Sequence, residues 1–190
     1  MAQPHIQYGK ATPPDFAGIL HLQHQNLITT LHGKDLSQGF LSIEFTSEQL
    51  HRINSELGIF VALQDKEVIG YLMVQSVEFA GGSPLLAHLL NRMKEIVIHD
   101  VPLSPCRLFV YGPVCIDRQH RGKRILEELF NVMLQALQGQ YDVGVAFVSA
   151  INLRSFHAHK NKLGMRVVDE FEFKGQKYRT LVFAVDPKER

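Results

Sequence analysis

Five basic side chains lie in the short segment that precedes a predicted helix: Arg118, His120, Arg121, Lys123 and Arg124. The helix is predicted from Ile125 onward, where apolar residues recur with a helical period, and Gly139 is well placed to end it. The helix dipole disfavours cations at this end by roughly 0.3–1 kcal/mol for each exposed one, so folding alone does not explain them. A bound polyanion would explain them, because free N–H groups, dipole and cations would all point at it. A solvated basic patch is the alternative interpretation.

Apolar strands are predicted on both sides of this helix. Residues 108–116 are apolar enough to be buried on both faces of a sheet, and residues 143–150 form a second strand. The pair Gly112-Pro113 falls inside the first strand and marks a bulge or a break in pairing, because proline has no N–H to give to a neighbouring strand. The strand–helix–strand order predicts two parallel neighbours that diverge after Gly112-Pro113.

The rest of the chain is predicted to alternate helices with hairpins. The expected elements are a helix that Thr12 caps and Gly33 ends, a helix from Thr46 to Gly58, a β-hairpin over 59–77 and a terminal hairpin over 166–185. A further helix, at about 83–98, is predicted as an insertion between two core strands. The fold class is therefore α/β (α+β), with a mixed, mostly antiparallel sheet and helices on both faces.

Length and composition are those of one globular domain over residues 1–190. The net charge of +1 gives no global case for binding to nucleic acid or to a membrane. The two cysteines, Cys106 and Cys115, make no disulfide framework and favour a reducing, cytoplasmic setting. The pattern contains no signal peptide, no membrane-spanning run and no metal-ligand set, so we expect neither a membrane nor a metal.

The segment GPVCIDRQHRGKRIL resembles the acetyl-CoA-binding motif of the GCN5-related N-acetyltransferase (GNAT) superfamily. In that motif a bulged strand is followed by Arg/Gln-x-x-Gly-x-Gly/Ala at a helix start. Four residues match the common Arg-Gly-Lys-Gly-Ile-Gly form: Arg121, Gly122, Lys123 and Ile125. Arg124 and Leu126 depart from it, since small residues are usual at both positions. A side chain there could crowd the pyrophosphate, and Arg124 could equally bind it through a charge-assisted hydrogen bond.

The segment INLRSFHAHKNKLGM resembles the second GNAT signature, in which Asn and Ser open a helix and a Gly-Met turn leads to the next strand. Asn152 and Ser155 match the family's polar contacts to the pantetheine and phosphate arm. The family often carries Tyr, sometimes His, seven residues after the Asn, and this count selects His159. Counting back from Gly164 selects Lys160 instead, because this copy has one extra residue.

The resemblance covers most of the chain from about Pro13. It implies an N-acetyltransferase that transfers the acetyl group of acetyl-CoA to an amine acceptor by direct attack, in a cleft formed by the splayed parallel strands. It implies cofactor contacts from eleven residues: Val114, Cys115, Ile116, Arg121, Gly122, Lys123, Arg124, Ile125, Leu126, Asn152 and Ser155. His159 is the candidate proton donor to the departing thiolate. The acceptor is a small-molecule or peptide amine, and a homodimer is left open.

Three other interpretations remain. A non-catalytic acyl-CoA-binding or sensor protein on the same fold is favoured by the altered glycine positions and the missing Tyr. A nucleic-acid-binding module would use the basic segment 118–124, but the near-neutral total charge argues against it. An enzyme with Cys115 as nucleophile has no Cys-His-acid spacing to support it, and a buried strand cysteine is usually inert.

Overall fold

The computed structural model of the chain describes residues 5–98 and 101–186. The strands are β1 (Ile6–Lys10), β2 (Gly58–Gln64), β3 (Glu67–Ser76), β4 (Val97–Ile98), β5 (Val101–Pro102), β6 (Leu108–Ile116), β7 (Val143–Ser149), β8 (Arg166–Phe173) and β9 (Gln176–Ala184). The α-helices are α1 (Phe16–Gln25), α2 (Ser47–Glu56), α3 (Val77–Ala80), α4 (Pro84–Met93), α5 (Ile125–Leu137) and α6 (Leu153–His157). Turns of 3-10 helix lie at Pro13–Asp15, Gly33–Gln38 and Arg118–His120, and a π-helical turn lies at Ala158–Lys162.

Seven strands form one mixed sheet in the order β1-β2-β3-β6-β7-β9-β8, and β4 and β5 form a separate two-stranded sheet. The pairs β1/β2, β2/β3, β7/β9 and β8/β9 are antiparallel, whereas β6/β7 is parallel. Helices flank the large sheet. The predicted fold class, a mixed and mostly antiparallel sheet with one parallel pair, is therefore confirmed.

The parallel pair is short. Within the described residues its three pairs are Leu108↔Val143, Phe109↔Gly144 and Val110↔Val145. Strand β6 nevertheless continues to Ile116, through Gly112 with a φ of +103°. The parallel pairing thus ends two residues before Gly112-Pro113, where the sequence predicts the divergence. The predicted interruption lies in the pairing with β7, and β6 itself continues as a strand.

The chain divides into two compact units, one of residues 1–74 and 112–136 and one of residues 75–111 and 137–190, so that β6 contributes to both. The single-domain interpretation stays a prediction. The first unit contains β1, β2, β3, the second half of β6 and the helices α1, α2 and α5. Its buried apolar residues come from all of these elements except β1 and include Ile19, Leu50, Phe60, Leu72, Cys115 and Leu129.

Helix α1 ends at Gln25, well before Gly33, where its apolar pattern predicts the end. The Asn26 side chain donates a 2.9 Å hydrogen bond to the backbone oxygen of Leu22, and Leu27 then forms a parallel bridge with Leu41. A helix that continued would have to give up this pairing with the 38–45 segment. The apolar residues after Asn26 are buried by tertiary contacts instead, which local periodicity cannot distinguish from a longer helix.

The second unit contains β7, β8, β9, the first half of β6 and the helices α3, α4 and α6. Helix α4 lies in the region predicted as an insertion, and it buries Leu86, Leu89 and Met93 in a cluster with strand residues such as Val110 and Val145. Burial of side chains of this size stabilises the fold by about 1.5–3 kcal/mol each. Helix α4 is therefore a cover for the sheet of this unit.

No helix in the described ranges is long and apolar enough to cross a membrane.

Candidate functional site

The start of helix α5 in the first unit is built from a 3-10 turn, a loop and the first helical residue, Ile125. All five basic residues precede the helix itself, in the turn Arg118–His120 and in the loop 121–124. The first helical turn carries Glu127 and Glu128, which sequence reasoning passed over. These two acids complement the helix dipole, so the preceding cations destabilise the helix less than the sequence suggests.

The loop before α5 has a backbone that favours glycine at two positions. Gly122 has a φ of +84°, and Arg124 has a φ of +63°. Left-handed backbone costs a residue with a Cβ atom roughly 1–2 kcal/mol. Arg124 stands where the GNAT motif usually has Gly, so the chain keeps the glycine-like conformation while placing a charged, exposed side chain there.

The backbone N–H groups at the helix start are available to a ligand. The backbone oxygen of Arg124 accepts the first helical hydrogen bond, from the N–H of Glu128 at 3.1 Å. The N–H groups of Ile125, Leu126 and Glu127 donate no hydrogen bond within the part of the chain that the structure describes. Three such N–H groups beside two exposed cations, Lys123 and Arg124, form a site suited to a phosphate group.

The Arg121 side chain is directed into the protein. Its guanidinium donates hydrogen bonds to the backbone oxygen of Ile116 at 3.0 Å, to the backbone oxygen of Gln38 at 2.6 Å and to Oδ1 of Asn26 at 3.1 Å. The acceptors belong to three segments of the first unit, and Asn26 is buried. Arg121 therefore anchors the loop, although sequence reasoning proposed it as a direct ligand.

Three of the predicted cofactor contacts in the first unit have buried side chains, which leaves only their backbone atoms for a ligand. Cys115, Ile125 and Leu126 are buried, while Val114 and Ile116 are half-buried. The Leu126 side chain turns into the core, so it does not occupy the space before the helix. Burial raises the pKa of the Cys115 thiol to about 12, which argues further against a nucleophilic cysteine.

Asp117 caps the turn that leads into the loop. Its Oδ1 accepts hydrogen bonds from the N–H of Gln119 at 2.8 Å and from Nδ1 of His120 at 2.9 Å. Burial by itself raises the pKa of the Asp117 carboxyl, but the bonds from His120 and Gln119 outweigh it and leave the pKa below its ordinary value. The carboxylate is thus ionised at neutral pH and fixes the 118–120 turn.

In the second unit, Asn152 and Ser155 stand at the start of α6. The Asn152 side chain accepts a 3.3 Å hydrogen bond from the N–H of Ser155, and it is 7% exposed. The Ser155 hydroxyl lies 3.3 Å from Nδ1 of His159. The structure therefore brings three sequence-predicted residues of this signature together, with Asn152 in the role of helix cap.

A π-helical turn at Ala158–Lys162 absorbs the extra residue of this signature. A π-turn closes hydrogen bonds over five residues, so it accommodates one residue more than an α-helical turn. His159 is 4% exposed, whereas Lys160 and His157 on either side are exposed. Of the two candidates for this position, His159 and Lys160, His159 is the one that the fold turns inward.

The His159 ring is held in one tautomer. Its Nδ1 lies 2.7 Å from the backbone oxygen of Ser155, which can only accept, so Nδ1 carries a proton. Among the described residues no group lies within hydrogen-bond distance of Nε2. Burial lowers the pKa of His159, and the bond to Ser155 opposes that effect only in part. The neutral ring, with a lone pair on Nε2, is therefore the favoured form at neutral pH.

Tyr111 is the contact of His159 that sequence reasoning missed. Its ring packs edge-to-face against the imidazole, with ring centroids 5.4 Å apart and an interplanar angle of 82°. Tyr111 is 3% exposed and lies on β6 directly before Gly112. No spacing in the sequence marks this contact, because only the fold brings β6 beside the π-turn.

The described residues contain no group of three or more His, Cys, Asp and Glu side chains that could hold a metal ion.

Comparison with solved structures extends over almost the whole chain. The acetyltransferase of GNAT family from Streptococcus pneumoniae matches with a TM-score of 0.61 at 13% identity, over 96% of this chain and 100% of that one. An N-acetyltransferase from Staphylococcus aureus matches with a TM-score of 0.61 at 17% identity, over 96% of this chain and 99% of that one. The protein yncA from Salmonella typhimurium, solved with its cofactor acetyl-CoA, matches with a TM-score of 0.60 at 15% identity, over 96% of this chain and 95% of that one.

No protein-family model matches the chain, and no curated protein matches its sequence. At the identities found among solved structures, the likeness shows the fold. The chain has the GNAT fold, and the resemblance carried by its two signatures is confirmed at that level.

Proposed function

We propose that this chain, which has the GNAT fold, is an N-acetyltransferase that transfers the acetyl group of acetyl-CoA to an amine acceptor. The observation that carries the proposal is the start of α5. There the left-handed backbone at Gly122 and Arg124 leads into three N–H groups without an acceptor in the described residues, beside exposed Lys123 and Arg124. Fold stability gives no reason for this combination, whereas a bound pyrophosphate does.

The residues at this helix start fit the pyrophosphate of acetyl-CoA. A Cβ atom built on Gly122 would meet nothing within 4 Å, so the space in front of the loop is open. The backbone of residues 122–126 supplies N–H donors, the side chains of Lys123 and Arg124 supply charge, and Arg121 holds the loop through its three internal hydrogen bonds. We assign the backbone of Val114–Ile116 to the pantetheine amides and thioester.

The reaction moves one acetyl group and one proton. The neutral acceptor amine attacks the thioester carbonyl carbon, a C–N bond forms, and the C–S bond breaks with its electron pair on sulfur. The attacking nitrogen must lose a proton because the product is a neutral amide, and the sulfur gains one because a thiol with a pKa near ~8.5 is mostly protonated at neutral pH.

His159 fits this proton transfer through Nε2. Its resting tautomer has the lone pair there, so we assign it to take the proton that the nitrogen loses and then to give that proton to the departing thiolate. This extends the donor role expected from the sequence, because the lowered pKa leaves the ring neutral before the reaction. The imidazole returns to its starting form at the end of each turnover.

The acceptor is proposed to be a small-molecule or peptide amine, and the setting a reducing, cytoplasmic one, as the two free cysteines favour.

Two experiments test the proposal. Titration calorimetry should detect acetyl-CoA binding that weakens for pantetheine fragments lacking the phosphates. A panel of amines with acetyl-CoA and detection of free thiol should then give turnover. Binding without turnover on a broad panel would favour the non-catalytic acyl-CoA-binding alternative, and absence of binding would overturn both.

A further inference from the structure

His159 contacts two side chains in the second unit besides its backbone neighbours. The Ser155 hydroxyl lies 3.3 Å from Nδ1, and the Tyr111 ring meets the imidazole edge-to-face. Both aromatic rings are almost fully buried. An edge-to-face pair of this kind contributes about 0.5–1.5 kcal/mol beyond the area it buries, and it depends on the angle between the rings.

Two constraints are needed to fix a histidine for proton transfer. The hydrogen bond from Nδ1 to Ser155 sets which nitrogen carries the proton, but it lasts only while the ring keeps its plane, because rotation about the Cβ–Cγ bond would break it. The ring of Tyr111 removes this freedom, because an edge-to-face neighbour fixes the plane of the imidazole. We infer that Tyr111 is a positioning residue for His159, which together with Ser155 keeps Nε2 as the single nitrogen available for proton transfer.

Tyr111 in turn contacts a second aromatic ring, and that ring contacts a third. The ring of Phe183 meets Tyr111 at 5.5 Å and 82°, and the ring of Phe109 meets Phe183 at 5.8 Å and 78°. The three side chains lie on β6 and β9, the two strands on either side of β7, and all are buried. The imidazole is therefore the last of four buried rings that meet edge-to-face, and its orientation is set by β6 as well as by its own helix.

The support comes from the aromatic ring, so the hydroxyl group of Tyr111 is not part of the inference. Tyr111→Phe should keep the orientation of His159, while Tyr111→Leu and Tyr111→Met should lose it. Phe171→Leu is the matched control, since it removes a buried ring of the same unit whose ring contacts are with His88 and Tyr178 and not with Tyr111, Phe183 or His159. Urea unfolding of each variant confirms that it folds.

The test reads the tautomer of His159 directly from its ring ¹⁵N chemical shifts in the free protein. We expect the Nδ1–H tautomer in the wild type, in Tyr111→Phe and in Phe171→Leu, and a mixture of tautomers in Tyr111→Leu and Tyr111→Met. If neither Tyr111→Leu nor Tyr111→Met folds, Phe183→Leu replaces them. It removes the ring that packs against Tyr111 and should give the same mixture of tautomers. An unmixed Nδ1–H tautomer in the folded variants that lack or loosen the Tyr111 ring would overturn the inference.

The catalytic consequence rests on the proposed function and is measured separately. Misplacement of a catalytic group by about 1 Å can cost ~10²-fold in rate, so kcat should fall roughly 10- to 100-fold in Tyr111→Leu and change little in Phe171→Leu. If the tautomers mix as expected but no amine is acetylated, the proposed function fails and the positioning role stands. If turnover is found and the tautomer never changes, the positioning role fails alone.

Discussion

The guanidinium of Arg121 donates a 3.1 Å hydrogen bond to Oδ1 of Asn26, 95 residues earlier in the chain. This contact joins the loop before α5 to the residue at which α1 ends. The two cations of this loop therefore differ in role: Arg121 forms hydrogen bonds inside the first unit, whereas Lys123 is exposed.

We expect Arg121→Ala to lower the free energy of unfolding by about 1–3 kcal/mol, because buried Asn26 and two backbone oxygens lose a charged donor. Lys123→Ala is the matched control. It should change stability by no more than about 0.5 kcal/mol while weakening acetyl-CoA severalfold through the lost charge. Urea unfolding and calorimetry measure the two quantities. Equal stability of the two variants would contradict the anchoring role of Arg121.

Gly122→Asp should weaken acetyl-CoA binding by roughly tenfold or more, because it adds a negative charge where the pyrophosphate is proposed to bind. Gly122→Asn is the control of the same shape. Asn tolerates left-handed backbone about as well as Asp, so both variants meet the same conformational cost at a φ of +84°. Any difference in acetyl-CoA affinity that calorimetry finds between the two variants is therefore due to charge. Equal affinities would mean that the phosphates bind elsewhere.

His159→Ala should lower kcat by ~10²–10⁴, the usual cost of losing a proton-transfer group, with little change in the affinity for acetyl-CoA. His157→Ala and Lys160→Ala, at exposed positions on either side, should do much less. Steady-state kinetics on the first acceptor found in the amine panel provides the measurement. If Lys160→Ala alone were damaging, the count back from Gly164 would be the correct register.

The buried His159 should make stability depend on pH near neutrality. Its pKa in the folded state lies below the unfolded value near ~6.5, so between these two values the unfolded chain binds more protons than the folded chain. Stability therefore rises with pH across that window, and acidification from about pH 7.5 downward should lower the urea midpoint until the folded pKa is passed.

His159→Gln should flatten this dependence, and His157→Gln, at an exposed position, is the control. Carboxylates with lowered pKa, such as Asp117, lose their stabilising contribution only at lower pH, as each is protonated below its unfolded value near ~3.9. The two windows are thus separable in a single pH series. An unchanged slope in His159→Gln would show that this ring does not titrate as its burial requires.

Gly144→Ala should destabilise the second unit by about 1–3 kcal/mol through overpacking. A Cβ atom at Gly144 would overlap Cζ of Phe183, so the ring that supports Tyr111 must move. Gly9→Ala is the control, because it also lies in a strand, and a Cβ there meets nothing within 4 Å. Urea unfolding compares the two variants, and similar stability in both would mean that Phe183 relocates without cost.

The sequence by itself determined the elements and much of their order. Apolar periodicity and turn residues bounded α5 and the two hairpins to within a few residues, because those signals act between close neighbours in the chain. The helix predicted from Thr46 begins with a capping box of Thr46 and Gln49, a signal that is local in the same way. The two family signatures indicated the fold and named His159 as one of two candidates.

Tertiary structure decided what distant residues do to one another. Helix α1 stops at Gln25 because Leu27 pairs with Leu41, and Arg121 turns inward because Asn26 and Gln38 offer acceptors there. The choice of His159 over Lys160 and the ring of Tyr111 beside it depend likewise on how the π-turn packs against β6. Backbone preferences are local and can be read along the chain. A side chain's partner depends on which segments the fold brings together, and no local pattern records that.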